Sequence, residues 1–171
     1  MNLLPQTYLL GLVGLLAIVA VVVGRQFFRV RRDEARLLEL EKSDTASSRQ
    51  ASDLYELGSV QLRKRLYPQA TATLKQALKR LGDEPDEARA VIENALGFAL
   101  AAQKDYEGAS KHYQLALKAK PNYPVALNNL GYAQDKLLNA EEALTLYRRT
   151  LEIEPSNGTA KRAVKKLEKR V

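Results

Sequence analysis

Apolar side chains follow two spacings along this chain, one continuous and one periodic. Tyr8 to Gly24 is an almost purely apolar run, with no charged side chain anywhere before Arg25. With Leu3 and Leu4 ahead of it, the run approaches the ~20 residues that a helix needs to cross a bilayer. Beyond residue 52 the spacing becomes that of amphipathic helices. Leu127, Leu130 and Gly131 fall at i, i+3 and i+4, and Ala143, Tyr147 and Leu151 at i, i+4 and i+8. Each set therefore forms one stripe on a helix, and the two stripes face each other across a short turn. Pro155 stops the second helix, because proline beyond the last turn cannot continue the hydrogen-bond ladder.

The same stripes recur at a fixed distance. Ala95-Leu96-Gly97 returns as Asn129-Leu130-Gly131, Ala109 as Ala143, Tyr113 as Tyr147, Leu117 as Leu151 and Pro121 as Pro155, always by the same step. Paired helices repeating at a period of about 34 residues are the mark of the tetratricopeptide repeat, and this step matches that period. A divergent first copy precedes these two. Leu54, Leu57 and Gly58 match the first helix, Tyr67 marks the turn, Pro68 opens the second helix, and Ala70, Leu74, Ala77 and Leu78 match its inner face. The step from Gly58 to Gly97 is longer than the period, and the surplus belongs at Gly82 to Glu87, where Gly82 closes one helix and Pro85 opens a longer one. After Pro155, Asn157-Gly158 reads as a turn, and Ala160, Ala163, Val164, Leu167 and Val171 as the inner stripe of a cap helix. The expected fold is all-α: a solenoid of three tetratricopeptide repeats (53–84, 85–121 and 124–155) and a cap helix (156–171), behind an N-terminal transmembrane helix. The residues of the shared pattern are expected in the core.

The anchor (1–24) has a competitor in a cleaved signal peptide. That reading wants a basic start and a small-residue cleavage site, and residues 1–7 carry no Lys or Arg. A lipoprotein anchor needs a cysteine, and the chain has none. Arg25, Arg29, Arg31 and Arg32 follow the span while nothing basic precedes it. The positive-inside rule then places the N-terminus outside and the repeats on the cytoplasmic or stromal side of a single-pass protein. Phe27 and Phe28 sit where aromatic rings favour the interface, and Gly11, Gly14, Ala17, Ala20 and Gly24 form a weak small-residue stripe. Residues 25–52 read as a basic stalk, helical through Lys42, and then a polar linker from Ser43 to Ser52.

Composition narrows the chemistry. Without cysteine there is no disulfide, thiolate metal site or thiol nucleophile, and His112 is the only histidine, expected to be a solvated or half-buried surface residue. Neither a phosphate-cradling glycine loop nor a serine elbow is present. The expectation is a protein that is not an enzyme, with no metal, cofactor, small-molecule substrate or nucleic-acid partner. The net charge is +7, and much of it gathers at the end. Lys161, Arg162, Lys165, Lys166, Lys169 and Arg170 stand there against Glu168. This patch suits an anionic membrane surface or an acidic protein, and equally a solvated outer face; it lacks the interleaved aromatics that stack on bases. Asn157-Gly158-Thr159 matches a glycosylation acceptor in letters only, given the cytoplasmic or stromal placement.

A stack of helix pairs curves, and its first helices line the concave side. If Leu57, Leu96 and Leu130 face the second helices, the groove is lined by Tyr55 and Ser59 in the first repeat, by Val91, Asn94, Phe98 and Ala101 in the second, and by Val125, Asn128, Tyr132 and Asp135 in the third. Phe98 and Tyr132 are candidate apolar anchors for a bound polypeptide. Asn94 and Asn128 suit its backbone, or else bridge neighbouring helices. A two-carboxylate clamp, as used by repeats that hold heat-shock chaperone tails, needs Lys, Asn and Arg where this chain has Tyr55, Ser59, Ala95, Val125 and Asn129. That charge complement is missing.

The order of parts carries a resemblance. One span, a basic flank, Asn94-Ala95-Leu96-Gly97-Phe98-Ala99 in the second repeat, Ala126-Leu127-Asn128-Asn129-Leu130-Gly131-Tyr132-Ala133 in the third and the tail Asn157-Gly158-Thr159-Ala160-Lys161-Arg162 together resemble the photosystem I assembly tetratricopeptide-repeat proteins of cyanobacteria and plastids. The resemblance spans nearly the whole chain. It implies a thylakoid-bound assembly factor without catalytic activity, acting from the cytoplasmic or stromal side on photosystem I subunits or assembly intermediates. Gln134, Ala140 and Thr150 depart from the generic repeat pattern. Two other readings stay open: an anchored repeat protein of c-type cytochrome maturation, with its repeats on the opposite side, and an organiser of the lipid surface working through the basic cap.

Overall fold

The computed structural model describes residues 4–42, 50–82 and 85–170, and every regular element among them is a helix. The chain divides into two units. The first consists of α1 (Leu4–Lys42), 39 residues without a break. Tyr8–Leu38 of this helix is long and apolar enough to cross a membrane, by length and composition. Its large apolar side chains from Tyr8 to Val30 are exposed, Leu10 and Ile18 as much as Val22 and Phe28. The stalk expected at Asp33 to Lys42 is part of the same helix. Most of the expected linker, residues 43–49, lies outside the described residues, as does Val171.

In the second unit, α2 (Ala51–Arg63) pairs with α3 (Tyr67–Arg80), α4 (Asp86–Ala102) with α5 (Tyr106–Ala119), and α6 (Pro124–Lys136) with α7 (Ala140–Ile153); α8 (Gly158–Leu167) packs on α7. Each second helix also touches the first helix of the next pair, and α2, α4 and α6 touch in succession. This nearest-neighbour stacking defines a repeat solenoid, here with tetratricopeptide geometry. The extra residues fall where the spacing placed them. Gly82 adopts a φ of +54° just after α3, Pro85 caps α4, and α4 has 17 residues where α2 and α6 have 13. Residues 83–84 lie outside the described set.

Within each pair the turn passes through one left-handed residue: Arg65 (φ 61°), Lys104 (φ 68°) and Leu138 (φ 66°). A Cβ is disfavoured in that conformation, so each turn carries a small strain that the packed helices hold in place. The pattern glycines serve a different end. A Cβ on Gly97 would lie 2.7 Å from the Tyr113 ring and 3.1 Å from the Ala109 carbonyl oxygen, and one on Gly58 would lie 2.8 Å from Leu74. The first helix therefore receives mainly a side chain of the second in the notch the glycine leaves, with backbone approach added only at Gly97.

Three buried clusters follow one another along the stack: one centred on Leu54, Leu74, Leu81 and Leu96, one on Tyr113 and Leu130, and one on Tyr147, Ala160 and Leu167. The pattern departures at Gln134 and Thr150 are buried and satisfied. Gln134 Oε1 accepts from Asn139 Nδ2 at 2.9 Å, and Thr150 Oγ1 donates to the Leu146 carbonyl at 3.1 Å. One local expectation is corrected. Asn157-Gly158 does not make a free turn: Asn157 is the N-cap of α8, its side chain accepting from the Ala160 amide at 3.0 Å, and Gly158 begins the helix.

Candidate partner-binding groove

Leu57, Leu96 and Leu130 point into the stack and are buried. The faces of α2, α4 and α6 turned away from them carry Tyr55 and Ser59, then Val91, Asn94, Phe98 and Ala101, then Val125, Asn128, Tyr132 and Asp135, and none of these ten is fully buried. Phe98 and Tyr132 are each 46% exposed and Val125 50%, which makes them the large apolar side chains open to solvent on the first helices.

Four of the ten meet in one place. Phe98, Ala101, Asn128 and Tyr132 line a hollow of roughly 350 Å³ together with Ala102, Asn129, Thr159 and the rings of Tyr113 and Tyr147. The two tyrosines read from the sequence as core are indeed nearly inaccessible, yet they also line this hollow. Burial raises both hydroxyls above their ordinary range; for Tyr147 the charge of Asp135 and then Tyr132 add to it, pushing it up to about 12. Tyr132 is held from two sides, by Tyr106 edge-on at 6.2 Å between centroids and by Lys136 Nζ 5.3 Å over its ring. Asn128 Oδ1 is shut off from solvent and has no hydrogen-bond partner among the described residues. An acceptor in that position is costly to leave empty, by about 1–3 kcal/mol. The hollow thus offers apolar walls, while Asn128 Oδ1, closed to solvent, is closed to a ligand as well.

The other six lie outside it. Asn94 bridges the first helices, its Oδ1 accepting from Asn129 Nδ2 at 2.9 Å. Near it, burial raises the Tyr123 hydroxyl, Tyr55 adds to the effect and a hydrogen bond with Asn94 opposes it, so Tyr55, Asn94 and Tyr123 form a second polar and aromatic group. Asp135 receives Lys166 Nζ at 3.1 Å and an Arg170 guanidinium nitrogen at 2.6 Å. Burial would raise the Asp135 carboxyl, but those bonds and charges outweigh it and hold the group below its ordinary value. Two of the six basic-patch residues are thereby engaged, while Lys161, Lys165 and Lys169 have no ion-pair partner among the described residues. Arg162 reaches Thr159 Oγ1 at 3.5 Å.

Sequence reasoning missed Asn129, Tyr123, Tyr106 and Thr159, which border the groove. Thr159 had a signal, lying one repeat period after Val125 on the groove face. It also missed a polar pair away from the groove, in which buried Glu93 Oε2 meets the half-buried His112 Nδ1 at 2.6 Å between α4 and α5. Among the described residues no group of three or more His, Asp or Glu is placed to hold a metal ion.

The family patterns described as "TPR repeat" and "Tetratricopeptide repeat" match residues 97–137 and 124–157. The ycf37 protein of Guillardia theta is 30% identical over 91% of this chain and 87% of its own length, and that of Cyanophora paradoxa 31% identical over 68% and 67%. The chain belongs to the ycf37 family of tetratricopeptide-repeat proteins. The chloroplastic tetratricopeptide protein PYG7 of Arabidopsis thaliana is 33% identical over 91% of the chain, which spans about half (51%) of PYG7. Among solved structures, the first repeat domain of Spaghetti (RPAP3), bound to an HSP90 peptide, superposes with a TM-score of 0.66 at 25% identity, covering 71% of this chain and 92% of that one. MamA superposes with a TM-score of 0.70 at 20% identity, covering 78% and 75%, a likeness of fold alone.

Proposed function

We propose that this protein is a membrane-anchored scaffold, without catalytic activity, whose groove holds a polypeptide during the assembly of photosystem I at the thylakoid membrane. The observation that carries the binding half is the hollow between α4, α6 and α8, which the exposed rings of Phe98 and Tyr132 help to line. An apolar side chain of the partner fills the hollow against Phe98 and Tyr132, in the way buried anchors carry most of an interface's affinity. The assembly half draws support from the plastid relatives and from the arrangement that resembles photosystem I assembly proteins.

The anchor is α1. A helix apolar all round is stable where lipid covers it, and a tether makes a second contact effectively intramolecular. Arg25, Arg29, Arg31 and Arg32 after the span support repeats on the cytoplasmic or stromal side, with the N-terminus across the membrane. Protease protection in right-side-out and inverted vesicles tests the placement: repeats cleaved only from the cytoplasmic or stromal face fit it, whereas cleavage only from the opposite face leaves the fold and favours a role such as cytochrome maturation. Deleting the gene tests the job. Reduced photosystem I accumulation is expected, and normal accumulation under all growth conditions removes the assembly role.

A further inference from the structure

The repeat register does not end with the third pair. Val125, Asn128, Tyr132 and Asp135 on α6 correspond, one period later, to Thr159, Arg162, Lys166 and Lys169, the last just past the end of α8. Thr159 does line the hollow, so α8 stands as a fourth inner helix whose groove-facing row is cationic where α6 is aromatic and amide. From its continuity with the hollow we infer that this row makes the groove selective for an extended acidic polypeptide segment, in which a bulky apolar side chain enters the hollow and neighbouring Asp or Glu carboxylates lie along α8. The inference rests on the groove reading above and adds the chemistry of the ligand.

Two observations favour a peptide over a lipid surface. The basic segment already captures a carboxylate within the chain: Asp135 accepts from Lys166, a member of the row, at 3.1 Å and from Arg170, just outside it, at 2.6 Å. Arg162 and Lys169 remain exposed without an ion-pair partner among the described residues, so the basic segment has capacity beyond Asp135. Geometry agrees, because a row on the inner wall of a curved stack meets a chain lying in the groove, while a flat bilayer meets the rim or the outer face. The chaperone-tail clamp needs cations on the first and third inner helices, where this chain has Tyr55 and Val125, so the charge here sits elsewhere and suits side-chain carboxylates along a segment.

The test uses the full chain in detergent and short fluorescent peptides with one Phe followed by a run of Glu, the same peptide in reversed order, and both with Gln in place of Glu. At low ionic strength the better Glu peptide is expected to bind roughly fivefold to tenfold tighter than its Gln counterpart, two added ion pairs giving about that factor, and the advantage shrinks as salt screens it. R162E/K169E, at exposed positions that leave buried Ala160 and Leu167 in place, removes the advantage, so that Glu and Gln peptides bind this variant alike; R162Q/K169Q reduces it more mildly. Equal binding of Glu and Gln peptides, with both lost in F98A/Y132A, leaves the groove standing and overturns the acidic selectivity. No binding by any peptide overturns both. An unchanged peptide ranking in R162E/K169E, with weaker adhesion of that variant to phosphatidylglycerol bilayers and unchanged adhesion to phosphatidylcholine ones, assigns the row to lipid and overturns the proposal.

Discussion

Glu93 and His112 join α4 to α5 in the second repeat at the positions that Leu127 and Leu146 fill in the third, one period later. The first repeat has Leu54 and Thr73 there. The second and third repeats share turn geometry and the glycine notch, yet they fill equivalent positions with different chemistry. In one a 2.6 Å polar bond sits beside a carboxylate only 7% exposed, and in the other two leucine side chains meet the core. The period constrains the space between helices and leaves open the chemistry that fills it. The second-helix starts differ in the same way: Asp105 caps α5 by accepting from the Gly108 amide at 2.8 Å, whereas Asn139 does not cap α7 and donates to Gln134 instead.

The largest effect expected from this comparison lies at the polar pair. H112L leaves Glu93 buried without its partner and is expected to cost about 2–4 kcal/mol in chemical denaturation, whereas E93L/H112L, which copies the third repeat, recovers to within about 1 kcal/mol of the parent. Recovery failing in the double variant would show that the pair does more than fill its space. Next come the glycine notches. G97A drives a Cβ against Tyr113 and the Ala109 carbonyl, an overpacking cost that exceeds the helix-propensity gain of about 1 kcal/mol, so a net loss of about 1–2 kcal/mol is expected. In G131A the nearest atoms are 3.1 Å away on the Tyr147 ring, and the two terms nearly cancel. Equal costs at the two sites contradict the difference in closeness. D105A removes the α5 cap and is expected to cost about 1 kcal/mol.

The smallest effect is a titration. Tyr147 is kept neutral up to about pH 12, against an ordinary value of 10.0, so the stability this contributes is full below 10.0 and is lost as pH rises toward 12. Removing the Asp135 charge in D135N lowers the Tyr147 transition, seen as tyrosinate absorbance, while Tyr113, whose rise comes from burial and Tyr132, keeps its own. A Tyr147 transition unmoved by D135N would mean that burial and Tyr132 set it without Asp135.

Helix pairing was legible because each pattern residue has a packing reason that shows as spacing. Gly58, Gly97 and Gly131 recur, the stripes recur, and the surplus at 82–87 announces itself as a broken count. The groove face followed by subtraction, since residues not needed for packing must face outward. Pair chemistry was not legible in the same way. Nothing in the spacing links Glu93 to His112 or Asn94 to Asn129, because such bonds depend on rotamers chosen after the helices pack. The same limit hid Asp135's two cations, where the sequence shows a lone acid on one helix and a basic run on another. Asn157 was misread because an Asn-Gly pair suits a tight turn as well as a helix N-terminus, and only the amide of Ala160 decides between them.

One measurement reaches the central claim directly: a photoreactive phenylalanine analogue in place of Phe98, Tyr132 or Leu115, each about equally exposed, irradiated within the full chain in native membranes. Leu115 lies on a second helix, away from the hollow. The account predicts a discrete protein adduct from positions 98 and 132 and none from 115. Adducts from 115 alone would contradict it, placing the partner on the outer face and leaving the groove without an occupant.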